Sequence, residues 1–238
     1  MNDKLPLLLL PGLLCDRASW TPVIDELADI SEPLVVSFGL SDSISSMADI
    51  VLSEAPRVFA IAGHSMGGRV ALEVYRRAPG RVARLGLFCT DYRGHISEEA
   101  REQEILAGES MLAAARNEGM EAVARMLSYR ALPPDKQRNK ALVSDLTSMI
   151  ARHTPAHLEA QLKAGLNRPD FSEVLTEISC PTLICAGEKD VMRPVEVHKD
   201  MAAKIQSGKL VVVKGGGHMI AMEQPDQVVA AMRSWLLS

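Results

Sequence analysis

The chain has 238 residues, 47% of them hydrophobic, and a formal net charge of −4. This suits one generous domain, or a core with an inserted segment. With no basic stretch and only 4% aromatic residues, the composition argues against a nucleic-acid partner or a base-stacking surface.

The N-terminal run Leu7-Leu8-Leu9-Leu10 is apolar and ends at Pro11-Gly12, as a buried strand followed by a loop does. It has only Lys4 as a basic flank, is interrupted by prolines and lacks the small-residue cleavage site of a secretion signal, and no apolar run reaches the length of a membrane span. A soluble, cytoplasmic protein is expected. Ser19 is placed to cap a helix running from Trp20 to Ala28, with Pro22 in its first turn. Leu34 to Phe38 reads as the next strand, and Met47 to Leu52 as a short helix. A third apolar strand, Val58 to Ala62, precedes a helix that runs to about Ala78 and stops at Pro79-Gly80. Val82 to Cys89 is the fourth strand.

The alternation of strand and helix then breaks. From Ser97 to about Leu166 only helical patterns occur, over Glu98–Ala107, Met111–Asn117, Glu121–Tyr129, Lys136–His153 and Pro155–Leu166. Seventy-odd residues of modest hydrophobicity make a small core by themselves. The block therefore reads as an inserted helical cap over residues 92–167, with an α/β core formed by 1–91 and 168–238. The rhythm resumes with a strand over Pro181–Ala186, a helix over Pro194–Ile205, a strand over Lys209–Val213 and a closing helix over Pro225–Leu237. Alternating buried strands and helices predict a mostly parallel sheet of about six strands, covered on both faces.

Within this frame, Gly63-His64-Ser65-Met66-Gly67 lies between a buried strand and a helix, the sequence form of a nucleophile elbow. A serine hydroxyl is a weak nucleophile and needs an exposed position and an adjacent base. Ser65, Asp190 and His218 each follow a predicted strand, and working residues gather at the carboxyl ends of strands in open α/β sheets. Their order along the chain fits a base, His218, oriented by an acid, Asp190. An oxyanion would be met by the backbone N–H of Met66, just after the serine, and by one from the loop after the first strand, that of Leu13. Gly12 and His64 are expected to border the substrate, His64 as a packed neighbour of the elbow.

These motifs resemble those of the α/β-hydrolases, in particular the small serine esterases with a helical cap. Gly63-His64-Ser65-Met66-Gly67-Gly68, Gly187-Glu188-Lys189-Asp190 and Gly217-His218 match the family's three signatures in order, and the likeness covers nearly the whole chain. Relatives of this type include biotin-pathway carboxylesterases, enol-lactone hydrolases, plant methylesterases and monoacylglycerol lipases. The resemblance implies an α/β-hydrolase fold and covalent acyl transfer on Ser65. Two departures stand out. Pro11-Gly12 replaces the His-Gly that often braces the oxyanion loop, and the family's usual first two strands are missing.

Several residues compete for roles. Asp91 also ends a strand and is an alternative acid, with Asp190 favoured by its loop and by the family pattern. Asp170 and Glu223 read as residues that cap or begin helices. His153 and His157 lie four apart on one helix but have no third ligand, so no metal is expected, and no cofactor. Cys15 and Cys89 read as buried filler that could border the pocket, and Met47, Met111, Met126 and Met149 as core. Arg93, His95 and Arg152 read as surface groups. The expected activity is hydrolysis of carboxylic esters or thioesters with small to medium acyl groups, the partner being a small molecule. Carbon–carbon bond hydrolysis, lyase action, perhydrolysis and a receptor that keeps the triad remain open alternatives. Dehalogenation would need Asp at position 65.

Overall fold

The computed structural model describes residues 4–238; residues 1–3, with which the expected core segment begins, lie outside the described residues. The six strands form one sheet in the order β2-β1-β3-β4-β5-β6, and every neighbouring pair is parallel. β1 (Leu5–Leu10) is followed by a 3₁₀ turn at Arg17–Ser19, α1 (Thr21–Ile24) and a second 3₁₀ turn at Asp25–Leu27. A single helix capped by Ser19 is thus replaced by three short pieces. Asp16 does the capping, accepting the Ala18 N–H, and Pro22 has no N–H with which to continue the hydrogen bonding backwards. The Trp20 indole N–H donates to the Leu10 carbonyl and buries the ring under the sheet.

β2 (Ser31–Val35) lies three residues earlier than its apolar run suggests. Val36 and Phe38 are buried, but only Val36, whose N–H donates to the Leu9 carbonyl, still bonds to β1, and Phe38 sits past the end of that pairing. Hydrophobicity there marks burial rather than strand pairing. β2 is an edge strand, which accommodates Pro33. α2 (Ile44–Glu54) is capped by Ser43. β3 (Phe59–His64), α3 (Met66–Arg77) and β4 (Val82–Phe88) follow.

Four helices come next: α4 (Glu98–Asn117), α5 (Met120–Ala131), α6 (Lys140–Ala151) and α7 (Pro155–Leu166). α4 is continuous where two helices were expected. Gly108 sits buried within it against Leu162 of α7, so the glycine serves packing rather than a break. The chain returns through α8 (Ser172–Glu177), β5 (Thr182–Gly187), α9 (Val195–Lys204), β6 (Gly208–Val213), α10 (Ile220–Glu223) and α11 (Pro225–Leu236). The short helices α8 and α10 carry no clear sequence pattern. Among the described residues no helix is long and apolar enough to cross a membrane.

The two faces of the sheet follow from the two-residue repeat of a strand. Leu8 and Leu10 pack with Ile61, Met47 and Val70 beneath α2 and α3. Leu7 and Leu9 face the other way, into Ala60, Trp20, Met232 and Trp235. Burying each such leucine contributes about 1.5–3 kcal/mol. A third apolar cluster joins Val123, Leu146, Met149 and Leu158 of the helical block to Leu14, Cys15 and Met219 from loops of the sheet. The block therefore completes its core with residues of the α/β part.

Strand order reverses between β1 and β3, since β2 lies on one side of β1 and β3 on the other. Loops leaving adjacent strands at such a point diverge and open a crevice. The turn after β3 closes tightly there. A Cβ on Gly63 would overlap the carbonyl of Gly67, and one on Gly67 would overlap the carbonyls of Leu10 and Pro11. Because these neighbours are backbone, they cannot swing aside. Gly63→Ala is expected to lower stability by about 3 kcal/mol or more, read from urea unfolding; an unchanged midpoint would contradict the close packing of β3 on α3.

Candidate active site

Ser65 sits between β3 and α3 at φ 54° and ψ −112°, a conformation that a residue with a side chain rarely adopts. Its backbone is held from both sides. The Ser65 N–H donates to the Phe88 carbonyl at 2.9 Å, and the Thr90 hydroxyl donates to the Ser65 carbonyl at 2.6 Å. Thr90 is fixed in turn by His198, whose Nε2 accepts the Thr90 N–H at 3.2 Å while Nδ1–H donates to the Pro194 carbonyl at 3.1 Å. Burial lowers the pKa of His198, which favours the neutral ring this pairing needs.

His218 follows β6 and turns back over the serine. Its Nε2 lies 3.0 Å from Ser65 Oγ, and its Nδ1 lies 2.8 Å from Asp190 Oδ2. Asp190 follows β5, and its other oxygen accepts the N–H groups of Met192 and Arg193 at 2.8 and 2.9 Å. Burial pushes this carboxyl up, but the neighbouring His218 and the two N–H donors outweigh it and hold the group below the usual carboxylate range. Asp91 is engaged elsewhere, in a two-pronged pair with the guanidinium of Arg93. Of the two candidate acids, Asp190 is the one hydrogen-bonded to His218.

The loop carrying His218 is pinned by groups that the sequence did not place there. Glu223 is buried at the end of α10 rather than capping a helix, and its carboxylate accepts the N–H groups of Gly217 and Met219, both at 2.8 Å. Burial pushes its pKa up to about 7 against the pull of these donors. The His218 N–H itself donates to the carbonyl of Ala131, at the end of α5, at 3.0 Å. Asp170 does accept the Ser172 N–H at the start of α8, and its second oxygen takes the Gly94 N–H.

The loop after β1 passes close to the serine. A Cβ on Gly12 would lie 2.9 Å from His64 Nδ1 and 3.3 Å from Ser65 Cβ. The Cys15 N–H closes a turn onto the Gly12 carbonyl, and Leu14 adopts a left-handed φ of 51°. Met66 opens α3, so its N–H precedes the helix's own hydrogen bonding. Among the described residues the Leu13 N–H has no backbone acceptor.

His64 packs its ring against that of His218, with centroids 4.9 Å apart, and its Nε2–H donates to the His218 carbonyl at 2.8 Å. Nδ1 has no partner. Burial, and then the neighbouring His218, lower its pKa to about 3, so the ring is neutral. Ligand atoms of His64, Cys89 and His218 lie within 4.8 Å of one another, yet they do not suit a metal. Both ring nitrogens of His218 are engaged, and burial pushes the Cys89 thiol well above its ordinary range.

The cavity at Ser65 and His218 encloses about 410 Å³, including the part open to solvent, and its walls include Leu13, Leu127, Leu146, Ile150, Met192 and Met219. Cys15 and His64 border it too. Met47 and Met149 are core residues as expected, whereas Met126 is exposed; the methionines at the cavity are Met192 and Met219. Arg152 pairs with Asp16 at the surface, and His95 bonds to the Leu166 carbonyl.

The sequence model of the alpha/beta hydrolase family matches residues 7–231. A pimeloyl-(acyl-carrier protein) methyl ester esterase of Nitrosomonas europaea is 25% identical over 94% of this chain and 92% of its own. One of the same name from Methylococcus capsulatus is 30% identical over 70% of this chain and 65% of its own. Among solved structures, a thermophilic esterase from Thermogutta terrifontis superimposes with a TM-score of 0.84 at 29% identity, covering 98% of this chain and 89% of that one. The enol-lactonase of Burkholderia xenovorans, at 18% identity, shares the fold with a TM-score of 0.86 over 100% and 93% of the two chains.

The state of His64 carries a pH dependence. Its pKa lies near 6.5 in the unfolded chain and at about 3 in the folded one, so the folded protein binds fewer protons between those values. The stabilising contribution is complete above pH 6.5 and is lost as pH falls toward 3. His64→Gln, which keeps a donor for the His218 carbonyl, is expected to flatten the fall in stability between pH 6.5 and 4. Denaturant unfolding at a series of pH values checks this, and an unchanged slope would contradict a buried neutral His64.

Proposed function

The chain belongs to the alpha/beta hydrolase family, and we propose that within it the protein is a serine hydrolase of carboxylic esters and thioesters. The observation that carries this reading is the hydrogen-bonded series from Ser65 through His218 to Asp190. Ser65 Oγ attacks the carbonyl carbon of the ester while His218 Nε2 takes the hydroxyl proton. Asp190 keeps the imidazole in the Nδ1–H tautomer and stabilises its charged form. The oxygen of the tetrahedral intermediate receives the N–H groups of Met66 and Leu13. As the intermediate collapses, His218 gives its proton to the departing alcohol or thiol, leaving an acyl group on Ser65. Water then attacks this acyl-enzyme as His218 takes one of its protons, and when the second tetrahedral intermediate collapses His218 returns that proton to Ser65 Oγ and the free acid departs.

The helices of residues 92–167 act as a cap on a core formed by 1–91 and 168–238. They furnish Leu127, Leu146 and Ile150 of the cavity wall. The mostly apolar side chains of this wall suit an acyl group of small to medium length. Likeness to methyl ester esterases and to a solved esterase supports ester cleavage over the other reactions open to the same three residues.

Ser65→Ala is expected to abolish turnover of p-nitrophenyl esters and labelling by a fluorophosphonate while leaving the unfolding midpoint close to wild type. Turnover near wild type in this variant would end the assignment. Asp190→Asn should lower kcat by about 10⁴, whereas Asp91→Asn should stay within a few-fold; the reverse pattern would mean that Asp91 is the acid.

A further inference from the structure

The loop that brings the Leu13 N–H to the serine has little of its own to hold its shape. Pro11, Gly12, Leu13 and Leu14 carry no polar side chain. Leu14, fully buried, is left-handed at φ 51°, a state that a leucine does not keep unaided. The Leu14 N–H points into the protein and donates at 2.7 Å to Oε1 of Gln161, which lies 147 residues away on α7 of the helical block. Gln161 is itself buried, at 4% exposure. An N–H requires an acceptor, so the contact fixes the amide with its oxygen on the loop.

We infer that Gln161 is a positioning residue for the oxyanion site. By accepting the Leu14 N–H it fixes the peptide that joins Leu13 to Leu14, and with it the left-handed turn. The preceding peptide of the same short loop, joining Gly12 to Leu13, carries the Leu13 N–H, whose direction therefore depends on Gln161. Without this acceptor a buried N–H is left unpaired, and the cheapest relief is rotation of the loop away from the serine. The helical block would then serve the reaction through one amide oxygen as well as by walling the cavity. This inference rests on the reading of Ser65 as nucleophile and of Leu13 as oxyanion donor.

Gln161→Leu, close in volume but without an acceptor, is expected to lower kcat for p-nitrophenyl esters about 10- to 100-fold with KM within about twofold, since misaiming one donor approaches the effect of losing it. Affinity for a trifluoromethyl ketone, which forms a tetrahedral adduct on the serine, should fall in proportion. Gln161→Glu keeps an acceptor oxygen at the same reach and should hold kcat within about tenfold of wild type. Where Gln161→Leu does not fold, Gln161→Asn carries the test: it is one methylene too short to reach Leu14 and should show the same kcat loss. Wild-type kcat in the variants lacking the contact, or a change confined to KM, overturns the inference. Fluorophosphonate labelling of the wild type at Ser65, with loss of turnover in Ser65→Ala, separates that failure from failure of the serine assignment itself.

Discussion

The structure turns on forcing the chain from strand to helix within the single residue Ser65. A side chain held at φ 54° costs on the order of 1–3 kcal/mol and persists only where its surroundings over-determine it. Here they do. Gly63 and Gly67 let β3, α3 and the end of β1 come together at distances that a Cβ would block. The Phe88 carbonyl takes the Ser65 N–H, and Thr90 fixes the Ser65 carbonyl. His198, from the start of α9, holds Thr90 in its turn. The neighbouring strand β4 is thus as much a part of the elbow as β3 is.

The other working loops obey a different constraint, the cost of burying polar groups without partners. Asp190 spends one oxygen on His218 and the other on two backbone N–H groups. Glu223 takes the N–H groups on either side of His218, and Ala131 takes that of His218 itself. Each loop is therefore held by groups from another part of the chain, in surroundings of low polarity where an unpaired group is expensive. The helical block enters this scheme twice, through the Ala131 carbonyl and the Gln161 amide. It is tied to the sheet by polar bonds as well as by the apolar cluster around Leu14 and Met219.

Much of this was readable from the sequence, for definite reasons. Ser65, Asp190 and His218 each follow a buried apolar strand, so a local pattern marks where they stand and the parallel topology brings those ends together. Boundaries were less legible wherever burial and pairing part company, as at Phe38. The same holds where a glycine that reads as a break lies inside a helix, as Gly108 does. The bracing residues were hidden for another reason. Gln161 meets Leu14 across 147 positions and His198 meets Thr90 across 108, and no local periodicity encodes such contacts. Glu223 did leave a trace, as an acidic residue closing the apolar stretch Met219-Ile220-Ala221-Met222.

The distance in sequence between Ser65 and His218 has a consequence for the chain as it is made. At roughly 5–20 residues per second, on the order of ten to thirty seconds of translation separate the emergence of Ser65 from that of His218. β6, an edge strand, must join the sheet before the loop behind it can turn inward, and His198, which braces the elbow through Thr90, also comes late in the chain. Until then the contact between Ser65 Oγ and His218 Nε2 is not formed. A chain released before residue 218 lacks that contact, so any turnover that depends on it would report polypeptide extended at least through His218.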